Sequence, residues 1–290
     1  MAKNWALALH GGAGPLRNLD HARAERHMAG LLREGETRLA RGEAALEVVH
    51  RLVEALEACG LHIAGKGSSP NAIGQWELDA AIMDGRSRNA GAVASLRGYK
   101  SPITAARLVM EKTPHVLIVG KGAAAIAREH KLERVHSPKQ YYTPVITRPV
   151  KKGELAHGTV GAVALDQHGR LAAATSTGGL LGKTPGRVGD TPIIGAGLWA
   201  DERVAVCCTG QGEYFLRTNA AADVSSRVRY ARQGLSEAIS GSLEDLNLLG
   251  GDGGMIGIDV LGHVEVVFNA ETMKRGVVTS AGRFEVATMR

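Results

Sequence analysis

The sequence has 290 residues, of which 44% are hydrophobic and 22% charged, so a chain of this length can bury a core without disulfides or metals. A net charge of +6 would suit nucleic acid, but only 4% of residues are aromatic and no nucleic-acid-binding module is recognisable. The start lacks the apolar core of a signal peptide, and no apolar stretch approaches membrane-spanning length. Three cysteines, two of them adjacent, suit a reducing compartment. We therefore expect a cytoplasmic protein that binds neither nucleic acid nor a membrane.

Strand and helix patterns alternate in the first half of the chain. An apolar run at Trp5–His10 predicts a buried strand that ends at the turn Gly11–Gly14. Apolar residues at three- and four-residue spacing predict a helical hairpin, Asp20–Arg41 and Glu43–Ala58. Further candidates are strands at Trp76–Met83 and Asn89–Leu96, a short apolar run at His115–Val119, and helices at Ile103–Lys112 and Ala123–His130.

Residues 132–158 contain three prolines and several basic residues without sustained periodicity, which predicts a mobile linker. Beyond it we expect strands at Thr159–Leu165, Arg170–Ser176, Ile193–Ala200, Arg203–Thr209, Gly254–Val260 and His263–Phe268, and a helical stretch at Glu213–Leu249. Two-residue connections such as Asp84-Gly85 favour antiparallel hairpins over parallel βαβ units. We predict one α+β domain, 1–290, with two packed sheets covered by helices: a four-layer αββα sandwich.

Thr159 follows the linker directly and opens a strand. A threonine hydroxyl needs a base, and the residue's own N-terminal amine can serve, with a pKa of about 7.7–8.0. Attack of this hydroxyl on the carbonyl of Gly158 would form an ester, and hydrolysis of the ester would free that amine. A Gly-Thr pair also opens many purely structural strands, because threonine favours strands, so the pair alone does not decide.

Six segments, in order along nearly the whole chain, resemble the plant-type L-asparaginase and isoaspartyl peptidase family of N-terminal-nucleophile hydrolases. They are His10–Gly14, Leu78–Gly85, Gly158–Leu165, Thr175–Gly179, Gly186–Asp190 and Thr209–Glu213. The resemblance implies the αββα fold and autocatalytic cleavage into an α subunit, 1–158, and a β subunit, 159–290. It also implies a homodimer of the cleaved protomers.

The same resemblance assigns roles within the site. Thr159 is similar to the family's nucleophile, and Thr177 to a second hydroxyl that positions it; Thr175, two residues away on the same face, is not assigned such a role. Arg187 and Asp190 look like the pair that binds the α-carboxylate and α-ammonium groups of the substrate. Without the family context, the threonines would be ordinary strand residues and the Arg–Asp pair a surface salt bridge.

Three further residues complete the expected site. Thr209 and Gly210 resemble the donors that stabilise the oxyanion, one through its hydroxyl and the other through its backbone N–H. Gly212 belongs to the same substrate-binding segment. This segment would form a glycine-rich strand-to-helix turn in any case, which does not exclude the catalytic role.

One segment departs from the family. His62–Ser68 stands where the family carries Phe-Asn-Ala-Gly-x-Gly-Ser, so Ile63 replaces an asparagine that helps to organise the nucleophile. The preceding loop resembles one that often binds sodium through backbone carbonyls, and its candidate ligands are Leu56, Glu57, Cys59 and Leu61. We expect no required cofactor beyond this structural ion.

The eleven histidines show no His-x-x-x-His or cysteine–histidine spacing typical of zinc sites, so a zinc hydrolase is not expected. The sequence instead predicts an amidohydrolase that cleaves L-asparagine and β-aspartyl dipeptides to release L-aspartate. The preference between these small substrates stays open. A glycosylasparaginase-like amidase and a noncatalytic protein that retains the fold are the alternatives.

Overall fold

The computed structural model describes residues 4–14, 21–146 and 158–289. The strands are β1 Ala6–Gly14, β2 Leu78–Asp84, β3 Ala90–Leu96, β4 Leu117–Val119, β5 Thr159–Leu165, β6 Leu171–Thr177, β7 Leu198–Ala200, β8 Val204–Gly210, β9 Gly253–Asp259, β10 Val264–Phe268, β11 Thr272–Thr279 and β12 Phe284–Ala287. The helices are α1 Ala22–Ala40, α2 Ala45–Ala58, α3 Pro102–Lys112, α4 Gly120–Glu129, α5 Pro138–Tyr141, α6 Gly212–Thr218, α7 Ala220–Tyr230 and α8 Leu235–Leu248. The chain is therefore α+β, as predicted. In its described parts, no helix is both long and apolar enough to cross a membrane.

The strands form two sheets. The larger has the order β12-β11-β1-β5-β6-β2-β3-β4, and the smaller has the order β10-β9-β8-β7. The expected hairpin pairs β2–β3, β5–β6, β7–β8 and β9–β10 are all antiparallel. Only β3 and β4 pair in parallel among the described strands. The prediction of antiparallel hairpins over βαβ units is thus confirmed.

Three hydrophobic clusters show how the elements pack. One lies between α1–α3 and the large sheet, the second between the two sheets, and the third between the small sheet and helices α6–α8. Strand β5 contributes to two of them. Its Val160 and Ala162 belong to the helix-covered cluster, whereas Val163 and Leu165 belong to the inter-sheet cluster. This alternation is the two-residue period of a strand that is buried on both faces.

The glycine run after His10 is part of strand β1, so the predicted turn is wrong. The strand continues to Gly14 along β11, with a shift of register between His10 and Ala13. Gly12 has a φ of +105°, and a Cβ there would lie 2.9 Å from Cα of Gly158. The glycines therefore form a bulge that lets β1 approach the end of the linker.

Two other local predictions also need correction. The β2–β3 connection is not a two-residue turn, because β3 begins only at Ala90; the Asp84 carboxylate accepts from the backbone N–H of Ser87 at 3.1 Å and so stabilises a longer loop. Of the predicted strand Ile193–Ala200, only Leu198–Ala200 is a strand. Turns precede it, including Gly195 with a φ of +99°.

The predicted helical stretch Glu213–Leu249 is three helices. Asn219, with a φ of +50°, separates α6 from α7, and Arg232, with a φ of +62°, lies between α7 and α8. Left-handed residues such as these interrupt a right-handed helix. Strands β11 and β12 were not predicted, although β11 pairs with β1 over most of its length.

The predicted linker, 132–158, is described only in part. Its first half contains the short helix α5, followed by Tyr142, whose ring stacks on Trp76 at 4.8 Å between centroids. Residues 147–157 lie outside the described residues. The mobility of the linker stays a prediction.

Candidate active site

The register of β5 and β6 brings two of the predicted threonines together. Thr159, the first residue of β5, lies directly opposite Thr177, the last residue of β6. Both side chains are buried, with 5% and 4% of their surface exposed. The site therefore lies at the end of the β5–β6 pair where β5 begins and β6 ends.

The Thr177 hydroxyl contacts the peptide that precedes Thr159. It donates to the carbonyl oxygen of Gly158 at 3.1 Å and accepts from the backbone N–H of Gly179 at 3.0 Å. A hydrogen bond to a carbonyl oxygen draws electron density away from the carbon. Thr177 is thus arranged to polarise the Gly158–Thr159 amide.

The Thr159 hydroxyl has a partner that the sequence analysis missed. Its oxygen lies 3.1 Å from the hydroxyl oxygen of Thr191, which is buried. The Thr175 hydroxyl donates to the Thr191 backbone carbonyl at 3.0 Å, so Thr175 supports Thr191 and does not reach Thr159 directly. The one sequence feature that points to Thr191 is its position directly after the Gly186–Asp190 segment.

Ile63, the departure from the family pattern, lies against the bond before Thr159. A Cβ placed on Gly158 would come within 2.6 Å of the Cβ and Cδ1 atoms of Ile63, so only glycine fits there. Ile63 is itself buried, and its carbonyl accepts from the backbone N–H of Gly178 at 2.9 Å. Position 63, where the resembled family carries asparagine, therefore lies next to the bond between Gly158 and Thr159.

Arg187 and Asp190 do not form the simple salt bridge with each other. Arg187 makes a two-pronged pair with Glu213, with Nε–Oε1 and Nη2–Oε2 distances of 2.9 and 2.8 Å. Asp190 is buried, and its Oδ2 atom has no hydrogen-bond partner among the described residues. Burial raises the pKa of this carboxyl group to about 7, with a smaller opposing effect from Arg187. The Oδ2 atom of Asp190 is therefore free to accept a hydrogen bond from a ligand.

The predicted glycines stand where side chains have no room. A Cβ on Gly212 would lie 2.8 Å from Oδ1 of Asp190, and one on Gly210 would lie 2.4 Å from the carbonyl oxygen of Asp252. Thr209 is buried, and its hydroxyl oxygen accepts from the backbone N–H of Ala13 at 3.2 Å. The bulged strand β1 thus contacts Thr209 as well as Gly158.

These residues surround a small cavity. It is lined by Gly158, Thr159, Thr177, Arg187, Asp190, Thr191, Gly210 and Gly212, and its volume is about 10 Å³. That space holds roughly one water molecule. A larger cavity of about 860 Å³ lies elsewhere, against Trp76 and Tyr142, so size alone does not locate the site.

Two buried histidines flank the site in a neutral form. Burial lowers the pKa of His10 to about 3, and a Cβ on Gly161 would lie 2.2 Å from its Nε2 atom. Burial likewise lowers the pKa of His62 to about 3, and its Nδ1 lies 3.1 Å from the carbonyl oxygen of Gly11. At neutral pH neither ring adds a charge near the threonines.

The loop predicted to bind sodium already holds a positive charge. The carbonyl of Leu61 accepts from the ammonium group of Lys274 at 3.5 Å, and that of Leu56 accepts from the Cys59 thiol at 3.2 Å. The Glu57 carboxyl group faces away, since it accepts from the Ser101 hydroxyl at 2.8 Å. The Lys274 ammonium group would therefore compete with an ion for the Leu61 carbonyl. The ion stays a prediction, and no step of the reaction depends on it.

The fold also assembles a cluster of metal-ligating side chains that the sequence spacing did not predict. One nitrogen each from His27 and His62 and the sulfur of Cys59 lie within 4.8 Å of one another. The residues come from α1 and from the loop after α2, which are far apart along the chain. Cys59 and His62 are close in sequence, but the third residue, His27, comes from another helix, so spacing alone does not reveal the set.

Comparison with known proteins identifies the family. A profile of the asparaginase family matches residues 3–152 and 138–288, and the chain therefore belongs to this family. It is 43% identical to the isoaspartyl peptidase of Salmonella typhimurium, over 93% of each chain. It is also 38% identical to the isoaspartyl peptidase/L-asparaginase of Bos taurus, over 93% of this chain and 92% of that one. The plant-type L-asparaginase of Pyrobaculum calidifontis is 37% identical, over 93% and 95% respectively.

Proposed function

We propose that this protein cleaves itself between Gly158 and Thr159 and then hydrolyses L-asparagine and β-aspartyl dipeptides, releasing L-aspartate. One observation carries the proposal. The Gly158 carbonyl and the Thr159 hydroxyl are each hydrogen-bonded by a different neighbouring threonine, Thr177 and Thr191. The two groups that must react are thus both oriented by the fold. The family and the names of its relatives support the same reaction.

In the cleavage step, the Thr159 oxygen adds to the carbonyl carbon of Gly158 while Thr177 donates to the carbonyl oxygen. The hydroxyl gives up its proton as it attacks, the C–N bond then breaks, and the leaving nitrogen takes up that proton to become the Thr159 amine, so that an ester remains. Water hydrolyses that ester to the Gly158 carboxylate and the free Thr159 hydroxyl. The cavity of about 10 Å³ is too small for a substrate, so the Gly158 end has to leave before one binds.

In the second reaction, the freed amine of Thr159 takes the proton of its own hydroxyl. An α-amine has a pKa of about 7.7–8.0, so a useful fraction is unprotonated near neutral pH. The hydroxyl oxygen attacks the side-chain amide, and ammonia or an amino acid leaves with the proton. Thr209 and Gly210 are proposed to donate to the oxyanion, a contribution of about 2.7–4 kcal/mol for one donor. Water then releases aspartate.

Substrate recognition is proposed to depend on Arg187 and Asp190. The guanidinium group of Arg187 would exchange Glu213 for the α-carboxylate of the substrate. Glu213 is half exposed, so its carboxylate can return to water when the carboxylate of the substrate takes its place. The free Oδ2 of Asp190 would accept from the α-ammonium group. The substrates are therefore small amino acids or dipeptides with both groups.

We also infer how the sheets and helices are layered and how cleavage divides the chain. The three hydrophobic clusters support a four-layer αββα sandwich in a single domain, divided by cleavage into 1–158 and 159–290. The cleaved protomers are proposed to form a homodimer. Cys59, Cys207 and Cys208 are all free thiols, which supports a cytoplasmic location.

Mass spectrometry of purified Thr159→Ala and wild-type protein tests the cleavage. Wild-type protein should give two fragments divided before Thr159, and the alanine variant should stay intact because it has no hydroxyl. Thr175→Ala is the matched control: its hydroxyl reaches only the carbonyl of Thr191, so it should still be cleaved. Normal cleavage of Thr159→Ala would refute the proposed nucleophile.

Substrate assays on the cleaved protein separate the remaining alternatives. We expect L-aspartate to be released from L-asparagine and from β-aspartyl dipeptides. Selective hydrolysis of glycosylated asparagine would indicate a glycosylasparaginase-like amidase instead. An intact chain after prolonged incubation would indicate a noncatalytic protein, and the contact of Ile63 with Gly158 would then be the first place to look for the cause.

A further inference from the structure

The cluster of His27, Cys59 and His62, defined above, lies outside the threonine site and takes no part in the proposed reaction. His27 projects from α1, while Cys59 and His62 belong to the loop that follows α2. Their ligand atoms lie within 4.8 Å of one another. Two imidazoles and a thiol brought together from distant parts of the chain are a ligand set that suits a zinc-like cation.

His62 is oriented as a metal ligand would be. It is fully buried, and its Nδ1 lies 3.1 Å from the carbonyl oxygen of Gly11. A carbonyl only accepts, so Nδ1 carries the proton and Nε2 presents a lone pair. Nε2 is buried and has no hydrogen-bond partner among the described residues. A backbone carbonyl that fixes one ring nitrogen while the other is free is the usual arrangement behind a metal-bound histidine.

His27 and Cys59 each offer an atom that can bind a metal ion. Nδ1 of His27 is also buried without a partner in the described part of the chain. The Cys59 sulfur accepts from the backbone N–H of Leu61 at 3.4 Å, and its thiol donates to the carbonyl of Leu56 at 3.2 Å. The Lys274 ammonium group contacts the neighbouring Leu61 carbonyl at 3.5 Å. A bound cation would displace the thiol proton of Cys59, and the thiolate formed on binding would offset part of the positive charge of the ion.

We propose that His27, Cys59 and His62 form a binding site for a zinc-class divalent cation, with a fourth position open to water. Bonds of about 2.0–2.3 Å meeting at tetrahedral angles place ligand atoms about 3.3–3.8 Å apart, so binding draws the three atoms together by on the order of 1 Å. His27 is only half-buried, which leaves its side chain room for that shift. A cavity of about 640 Å³ is lined by His27 and Cys59 and gives the ion a path from solvent.

Metal titration of the full-length protein tests the site. After removal of metal with a chelator, wild-type protein should bind one Zn²⁺ per chain in competition with a chromogenic chelator. Co²⁺ should give the near-ultraviolet charge-transfer absorption of a thiolate ligand. His27→Gln and Cys59→Ser should each weaken Zn²⁺ binding at least about tenfold, since even the loss of an outer partner of a ligand costs about 10–100-fold.

The control is His130→Gln, because His130 lines the same cavity but does not belong to the cluster. It should bind Zn²⁺ like wild type. Alkylation provides a second measurement: Zn²⁺ should protect Cys59, the one cysteine that is not fully buried. The proposal is overturned if wild type binds no Zn²⁺, if the two ligand variants bind as tightly as His130→Gln, or if Co²⁺ gives no thiolate absorption. Circular dichroism shows whether each variant is folded.

Discussion

Two hydroxyl groups beside Thr159 have different tasks. The Thr177 hydroxyl donates to the carbonyl of Gly158, which is the group attacked in the proposed cleavage. The Thr191 hydroxyl lies 3.1 Å from that of Thr159, which is the attacking group in the same proposal. When the fold already orients both reacting groups, less entropy is lost on reaching the transition state. This is a large part of what an enzyme contributes.

Arg187→Lys should leave cleavage unchanged but reduce kcat/KM for β-aspartyl dipeptides. Lysine keeps the charge and loses the two-pronged geometry that Arg187 now uses with Glu213. One lost hydrogen bond to a charged group costs about 1.5–3 kcal/mol, which corresponds to roughly 10- to 100-fold. Arg203→Lys, at a more exposed arginine, is the control. An unchanged kcat/KM for Arg187→Lys would remove this residue from substrate binding.

The pH dependence of kcat/KM should show the effect of protonating the Asp190 carboxyl group. Burial raises its pKa to about 7, so below that pH the group is increasingly neutral and cannot pair with an α-ammonium group. For L-asparagine, kcat/KM should therefore fall as the pH drops through 7. The Thr159 amine also titrates nearby, so succinamate, which lacks the α-amino group, serves as the comparison. Its profile should be less steep, and identical profiles would argue against the role of Asp190.

At the level of elements, the site depends on close contact between segments that are distant in sequence. The bulge in β1 places Gly12 against Gly158, while the loop after α2 places Ile63 on the other side. The start of β5 is thus held between β1 and that loop. Glycine is needed at 158 because a Cβ would have no space beside Ile63.

Gly158→Ala should slow cleavage by at least an order of magnitude, because its Cβ would lie 2.6 Å from atoms of Ile63. Removing the opposing side chain should relieve the contact, so Gly158→Ala combined with Ile63→Gly should be cleaved faster than Gly158→Ala alone. The rate is measured by the appearance of fragments over time. Gly30→Ala, on helix α1 with open space around it, is the control and should be cleaved normally. Equal rates for the single and double variants would show that this contact does not limit cleavage.

At the level of the whole molecule, the proposed cut separates strands that remain neighbours. Strands β1–β4 would belong to 1–158, and β5–β12 to the rest of the chain. In the large sheet, β1 lies between β11 and β5, and β2 pairs with β6. The two fragments therefore share one sheet and its hydrophobic core.

The cleaved fragments should accordingly stay together in native gel filtration and separate only under denaturing conditions. The ladder hydrogen bonds of β1 with β5 and β11 do not involve the cut bond, and neither does the apolar core. Cleaved wild-type protein and uncleaved Thr159→Ala should elute at the same volume. Separate elution of the fragments without denaturant would contradict the shared sheet.

The sequence by itself determined what depends on neighbouring residues. Alternating and helical periodicity predicted the hairpin β5–β6 and the helices α1 and α2, and a threonine that follows a glycine at the start of a strand indicated where chemistry could occur. Motif resemblance added Arg187 and Asp190. Each of these inferences uses one continuous stretch of the sequence, over which local preference and periodicity can be recognised.

Only the tertiary structure decided what depends on distant partners. It joined β11 to β1, turned a predicted glycine turn into a bulge, and paired Arg187 with Glu213. It also brought Thr191 to Thr159 and gathered His27, Cys59 and His62. These contacts form because burial brings together side chains that are distant along the chain, and the pairing of such side chains leaves no periodic signal in the sequence.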